Sequence, residues 1–131
     1  MATVFSTTGK ALTSGLVGKI GTLAPIQAGW GTGAGTAAVG DTTLFTEANT
    51  TNGATGTRVA GTPTQVTTTL TNDTLQVVAT ITAGAAVTVT NAGLFDNTTI
   101  GSGNVFIKGD FTSIGVASGD SIQFTYQIKY A

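Results

Sequence analysis

The chain has 131 residues, a net charge of −1 and only 8% charged side chains, against about 25% in an ordinary soluble domain. It contains no His and no Cys, which excludes His-dependent triads, Cys nucleophiles and thiolate zinc sites. The basic residues Lys10, Lys19, Arg58, Lys108 and Lys129 are scattered, so no cluster is available to neutralise phosphates and nucleic acid is not an expected partner.

Met1 to Gly9 is a polar arm whose large apolar groups are Val4 and Phe5. From Lys10 to Leu23 the apolar residues Leu12, Leu16, Val17, Ile20 and Leu23 fit one helical face, but Gly15, Gly18 and Gly21 interrupt it. A helical segment and an extended arm both fit. Pro25 to Trp30 reads as a short strand, and Gly31 to Gly40 as a loop. Asp41 to Ala48 reads as one or two helical turns capped by Asp41 or Thr42. Asn49 to Gly56 reads as a polar loop.

From Thr57 onward the chain reads as strands. Arg58 to Gly61 is short, and Thr64 to Leu70 alternates weakly with Val66 and Leu70 on one face. Leu75, Val77, Ala79 and Ile81 alternate with Gln76, Thr80 and Thr82, the period of a half-buried strand. Val87 and Val89 resume the alternation after Ala83-Gly84-Ala85-Ala86, so Thr74 to Asp96 reads as a β-hairpin at the sheet centre. Gly93 predicts a bulge or a close backbone approach. Val105 to Phe111 is a strand. Ser118-Gly119-Asp120 is a turn. Ser121 to Tyr130 alternates most cleanly, with Ile122, Phe124, Tyr126, Ile128 and Tyr130 on one face.

With 19 Gly and a Thr-rich, helix-former-poor composition, the fold class is all-β. The expected architecture is a single β-sandwich or jelly-roll-like antiparallel domain over 24–131, with a less regular N-terminal arm over 1–23. No run of about 18 apolar residues is present and no segment has signal-peptide character, so no membrane is expected. A surface so poor in charge has little self-repulsion, and a homo-oligomer is expected.

Motifs add little chemistry. Gly29-Trp-Gly31-Thr-Gly-Ala34 fits a dinucleotide fingerprint formally, but position 49 is Asn and no good helix follows. The acids Asp41, Glu47, Asp73, Asp96, Asp110 and Asp120 sit mostly at predicted turns or caps, where Asp serves the backbone. Neither a catalytic residue, a metal nor a cofactor is expected. Asn-x-Thr sequons at Asn49, Asn72 and Asn97 are close to what chance gives in so Thr-rich a chain. Trp30 reads as a core anchor or as a lone aromatic at a subunit contact. Tyr126 and Tyr130 carry hydroxyls that need partners.

Two stretches resemble a known family. Gln27-Ala-Gly-Trp30-Gly-Thr-Gly33, with Asp41-Thr-Thr-Leu44 and Glu47 after a small-residue loop, resembles the opening of small bacteriophage virion proteins. Thr90-Asn-Ala-Gly-Leu-Phe-Asp96, with Phe111 and Gly119-Asp120-Ser121-Ile122, resembles their close. The resemblance implies a virion structural protein and not an enzyme. The first expectation is a capsid decoration (cement) protein, made in the host cytoplasm, that binds the major capsid protein as a homotrimer. The alternative is a tail-fibre or baseplate module, and a glycan-binding adhesive domain is a third class that a sandwich permits. Expected interface residues are Val4, Phe5, Leu12, Leu16, Trp30, Tyr126 and Tyr130. The apolar groups of the arm must be covered by something, and the expected cover is a neighbouring subunit, with the sandwich from Thr57 as the independent fold.

Overall fold

Alternation of small or β-branched residues with polar ones gives an antiparallel β-protein, with one helix among the described residues. The computed structural model describes residues 2–18, 24–48, 50–51, 54–55 and 57–130; the readings on Lys19, Ile20, Gly21, Leu23 and Asn49 fall outside these. In chain order the elements are β1 (Thr3–Phe5), α1 (Thr7–Gly18), β2 (Gln27–Gly31), β3 (Thr50–Thr51), β4 (Ala54–Thr55), β5 (Val59–Ala60), β6 (Thr62–Val66), β7 (Thr74–Thr82), β8 (Val87–Phe95), β9 (Val105–Val116) and β10 (Ser121–Lys129). A five-stranded sheet runs β1-β9-β8-β2-β5, a three-stranded sheet runs β10-β7-β6, and β3 and β4 form a short ladder of their own.

The main core lies between the two larger sheets. Ala28, Trp30, Ala92, Leu94 and Ile107 come from the first, and Val77, Ala79, Ile81 and Ile128 from the second. Fully burying side chains such as Trp30 and Ile81, both 0% exposed, stabilises by roughly 1.5–3 kcal/mol each for the aliphatic case and more for the larger ring. The Trp30 ring meets Phe124 edge-on across the core, centroids 6.5 Å apart. The alternation of β10 is realised: Ile122, Phe124, Tyr126 and Ile128 turn inward while Ser121, Gln123, Thr125, Gln127 and Lys129 are exposed.

The expected hairpin is not formed. β7 pairs with β10 and β6, and β8 pairs with β9 and β2. Ala83 to Ala86 therefore carries the chain from one sheet to the other. Alternation identified both strands, but it says nothing about which strand each one pairs with. Each is nonetheless central in its own sheet. Gly93 is a close approach as expected: a Cβ there would stand 2.7 Å from the Ile107 carbonyl oxygen and 3.0 Å from Leu44. The β8–β9 ladder slips between Leu94 and Phe95. That irregularity sends Phe106 and Ile107 into the main core while Phe95 and Val105 join Leu44 in a second cluster.

The N-terminal arm is part of the fold, contrary to expectation. β1 adds to β9, pairing Thr3 with Gly109 and Phe5 with Ile107. Ser6, fully buried, caps α1 by accepting the Gly9 N–H at 2.9 Å. Its hydroxyl also donates to the Val105 carbonyl at 2.6 Å. Leu12 is buried in the main core. Gly9, which weakens helix propensity, permits the docking, because a Cβ there would lie 2.3 Å from the Phe106 carbonyl oxygen. The sandwich does not begin at Thr57 either, since β2 is an internal strand of the larger sheet.

Residues Asp41 to Ala48 form no helix but an irregular segment laid on β2. Thr46 there has a φ of 49°, a left-handed conformation that no helical turn contains. Leu70 is 62% exposed and belongs to the turn before β7 rather than to a strand face.

Candidate functional site

Two surfaces of the five-stranded sheet and its surroundings can be weighed as sites, and they have opposite chemistry. The first is its outer face, which segment 41–48 covers. Gly29 and Gly31 of β2, and Gly33 just beyond it, bare the backbone on that face. A Cβ at Gly31 would be 2.3 Å from the Phe45 carbonyl oxygen, and one at Gly29 would be 2.8 Å from Glu47 Oε1. The segment then bonds to the bared backbone: Thr32 N–H donates to Thr46 O at 3.0 Å, Gly33 N–H to Phe45 O at 2.9 Å, and Ala48 N–H to Trp30 O at 2.9 Å. Asn91 clamps Phe45 from β8, accepting its N–H at 3.0 Å and donating to its carbonyl at 3.1 Å.

Two cations lie under the same cover. Arg58 makes a bidentate pair with Glu47, at 2.6 and 2.9 Å. It also donates to the carbonyls of Asn97 and Ser102, both at 2.8 Å, and stacks over Phe95 at 3.4 Å from the ring centroid. Lys108 donates to Asp41 and to the Thr43 carbonyl, both at 2.8 Å, and sits 3.3 Å above the centre of the Phe45 ring. The Lys108 bond, ahead of burial, holds the Asp41 carboxyl below the usual carboxylate range. Arg58 makes four hydrogen bonds to protein acceptors and Lys108 two, with an aromatic ring against each cation, so the cluster holds the segment to the sheet.

The remaining acids are also engaged with the backbone, as the sequence reading expected. Asp73 accepts the N–H groups of Thr68, Thr69 and Leu70, each at 2.9 Å, and the Leu70 bond leads in driving its carboxyl well below the usual range. Asp110 accepts from Ala37 and Ala2 at 2.8 and 3.2 Å, with the Ala37 bond the main reason its carboxyl is also held low. Asp96 accepts from Asn104 N–H at 2.6 Å, and Asp120 from Ala117 N–H at 2.9 Å. Among the described residues no three acidic side chains gather as a metal site would require. The glycines of the formal dinucleotide fingerprint serve the packing of segment 41–48 instead.

The second surface is the open side of the sandwich. There β10 ends the three-stranded sheet, and β1 covers β9 only at Ile107, Lys108 and Gly109. The partly buried rings of Phe111, Phe124 and Tyr126 stand between these edges, Phe124 lying 6.0 Å from Phe111 and 6.1 Å from Tyr126 by centroid. They line a cleft of about 180 Å³ that also reaches Thr125 and Gln127. The Tyr126 hydroxyl donates weakly to the Gly93 carbonyl at 3.4 Å, and burial pushes the phenol above its ordinary pKa. Among the described residues, no charged side chain lines this cleft.

The expected interface residues divide between interior and surface. Leu12, at 6%, and Trp30, at 0% exposed, are core residues and cannot meet a neighbouring chain. Leu12 is taken up by the docking of α1, and Trp30 by the inward face of β2. Val4, Phe5 and Leu16 are half-buried, with Phe5 edge-on to Phe106 at 5.1 Å. Leu16 and Tyr130 meet in an apolar groove of about 440 Å³ with Val17 and Phe106; Val17 is 83% and Tyr130 55% exposed. Tyr126 lies in the cleft of the open side. Sequence reasoning missed Phe111, Phe124 and the Arg58–Glu47 and Lys108–Asp41 pairs as organising features. Segments 27–47 and 90–96 meet in space, since Gly31, Phe45 and Asn91 touch one another. In comparisons with known proteins, no family model, curated protein or solved structure matches this chain.

Proposed function

We propose that the protein is a non-enzymatic structural component of a bacteriophage virion, a decoration protein that binds the capsid lattice. The observation that carries the non-enzymatic reading is the engagement of every acid: all six carboxylates accept protein hydrogen bonds. Each of them bonds to backbone N–H groups or joins an ion pair, and among the described residues no three acidic side chains converge. The surface left over is poor in charge and rich in Thr, with an open strand edge beside an apolar cleft, which suits assembly rather than turnover. The virion assignment rests on the resemblance of segments 27–47 and 90–96, with Phe111 and segment 119–122, to small bacteriophage virion proteins.

The test is cosedimentation of the purified protein with expanded phage heads lacking it. Saturable, stoichiometric binding with raised thermal resistance of the heads supports the reading. Binding to host cells or glycans with none to heads would overturn it in favour of the tail-fibre alternative.

A further inference from the structure

The sheets have edges at β1, β5, β6 and β10. Three are blunted in the ways that prevent edge-to-edge pairing. β1 has three residues, β5 has two, and β6 has five with Pro63 among them. β10 has nine residues, no Pro and no bulge. Its one charge, Lys129, lies at its end and donates back to the Thr69 hydroxyl.

The direction of its free backbone groups follows from the ladder. Tyr130 N–H donates to Asp73 O at 2.9 Å, and Ala83 N–H donates to Asp120 O at 2.8 Å. Even-numbered residues of β10 therefore turn their N–H and C=O toward β7, and odd-numbered ones turn theirs to the open edge. Among the described residues, no strand pairs with that edge.

The sequence of the edge is close to a palindrome about Thr125: Ile122-Gln123-Phe124-Thr125-Tyr126-Gln127-Ile128. We propose that β10 pairs antiparallel with β10 of a second copy, about a two-fold axis at Thr125, joining two three-stranded sheets into one. In that register Thr125 faces its own copy, Gln123 faces Gln127, Phe124 faces Tyr126 and Ile122 faces Ile128. Like thus meets like in hydrogen-bonding, aromatic and aliphatic pairs, each of which favours a ladder. Ser121, Gln123, Thr125, Gln127 and Lys129 are the residues with outward backbone groups, so the ladder makes up to about ten N–H···O bonds over its full length. The interface is isologous and closes on itself, ending the assembly at two copies rather than propagating a fibre. The rings of Phe124 and Tyr126 from each copy meet at non-hydrogen-bonded positions, where side chains approach most closely, and cover the open cleft. This two-fold stands in place of the homotrimer implied by the resemblance, and it is independent of the capsid reading.

Sedimentation of the full chain at micromolar concentration tests it. The expected species has twice the 13.0 kDa of one chain. Thr125→Pro removes an outward N–H and no bond to β7, so it should stay folded by circular dichroism and sediment at the mass of one chain. Thr125→Lys, which sets two like charges across the axis, decides the matter if the proline variant does not fold. In a chain without Cys, Thr125→Cys should cross-link to itself under oxidised glutathione. Gln123→Cys alone should not, but mixed with Gln127→Cys it should. A wild-type chain that sediments as a monomer, or a folded Thr125→Pro variant that remains a dimer, overturns the proposal. A monomer that still binds heads would leave the capsid reading standing, and a dimer that ignores them would do the reverse.

Discussion

The outer face of the five-stranded sheet and the open side of the sandwich show two uses of very little charge. On the outer face, Arg58, Lys108, Asp41 and Glu47 are drawn together with Asn91 to hold one irregular segment down. On the open side, among the described residues, no charged side chain lines the cleft and no strand pairs with the outer edge of a nine-residue strand. A chain with so few ionisable groups can seal one surface by placing them there, and the surface without them is the one free to meet a partner. If so, substitutions on the outer face should cost folding stability, and those on the open side should cost association instead.

The largest stability effect should come from breaking one of the buried pairs. Arg58→Met leaves the Glu47 carboxylate, 7% exposed, without its partner, and about 3–5 kcal/mol of unfolding free energy should be lost. The double variant Arg58→Met with Glu47→Leu should recover much of that, because both charges leave together. Urea denaturation of wild type, the two single variants and the double variant measures the coupling; a double-variant loss equal to the sum of the two single losses would show that the pair is not acting as a unit.

Glycines distinguish the two surfaces next. Gly31→Ala forces a methyl to within 2.3 Å of the Phe45 carbonyl and should destabilise by about 1–3 kcal/mol. Gly115→Ala, in the exposed half of β9 where a Cβ meets nothing within 4 Å, should be neutral or stabilise by about 0.5 kcal/mol. Thermal melts of the pair check this.

Acid should produce a smaller change. Asp41, Asp73 and Asp110 have carboxyls held below their ordinary values. The stability they contribute is fully present above the unfolded pKa of about 3.9 and is lost as pH falls through their folded values. Urea midpoints should be flat from neutral pH down to about pH 5 and fall below about pH 4. Asp73→Asn should fall less steeply than wild type over the same interval, and parallel curves would show that the turn at Thr68–Leu70 does not depend on the carboxylate.

These outcomes bear on how much the sequence alone could reveal. Alternation located β7, β8, β9 and β10 and the inward residues of β7 and β10, because period two is a local property; in β9 the ladder slip breaks the alternation, and Phe106 and Ile107, neighbours in sequence, share the main core. Pairing is not local: nothing in Ala83-Gly84-Ala85-Ala86 distinguishes a turn within one sheet from a crossing to another. Asp41 to Ala48 imitates a capped helix in composition, but its conformation is set by Asn91 and by the bared backbone of β2. The visible signal that could have found this contact is Gly29-x-Gly31-x-Gly33, glycine at strand period rather than a phosphate loop. Arg58 and Lys108 were legible as scattered charges only, since their partners Glu47 and Asp41 lie 11 and 67 residues away in sequence. The arm was misread because its glycines weaken a helix in isolation, while Gly9 strengthens the docking of that helix by letting it approach Phe106.

The most direct test of the contrast between the sealed face and the open side is amide hydrogen exchange along β10, measured at high and low protein concentration. Phe124, Tyr126 and Ile128 should be protected at both, because their amides face β7. Gln123, Thr125 and Gln127 should be protected at high concentration and lose that protection on dilution, as the two-fold ladder comes apart. Fast exchange at Gln123, Thr125 and Gln127 at every concentration would contradict the assignment of the open edge as the surface where this chain meets its partner.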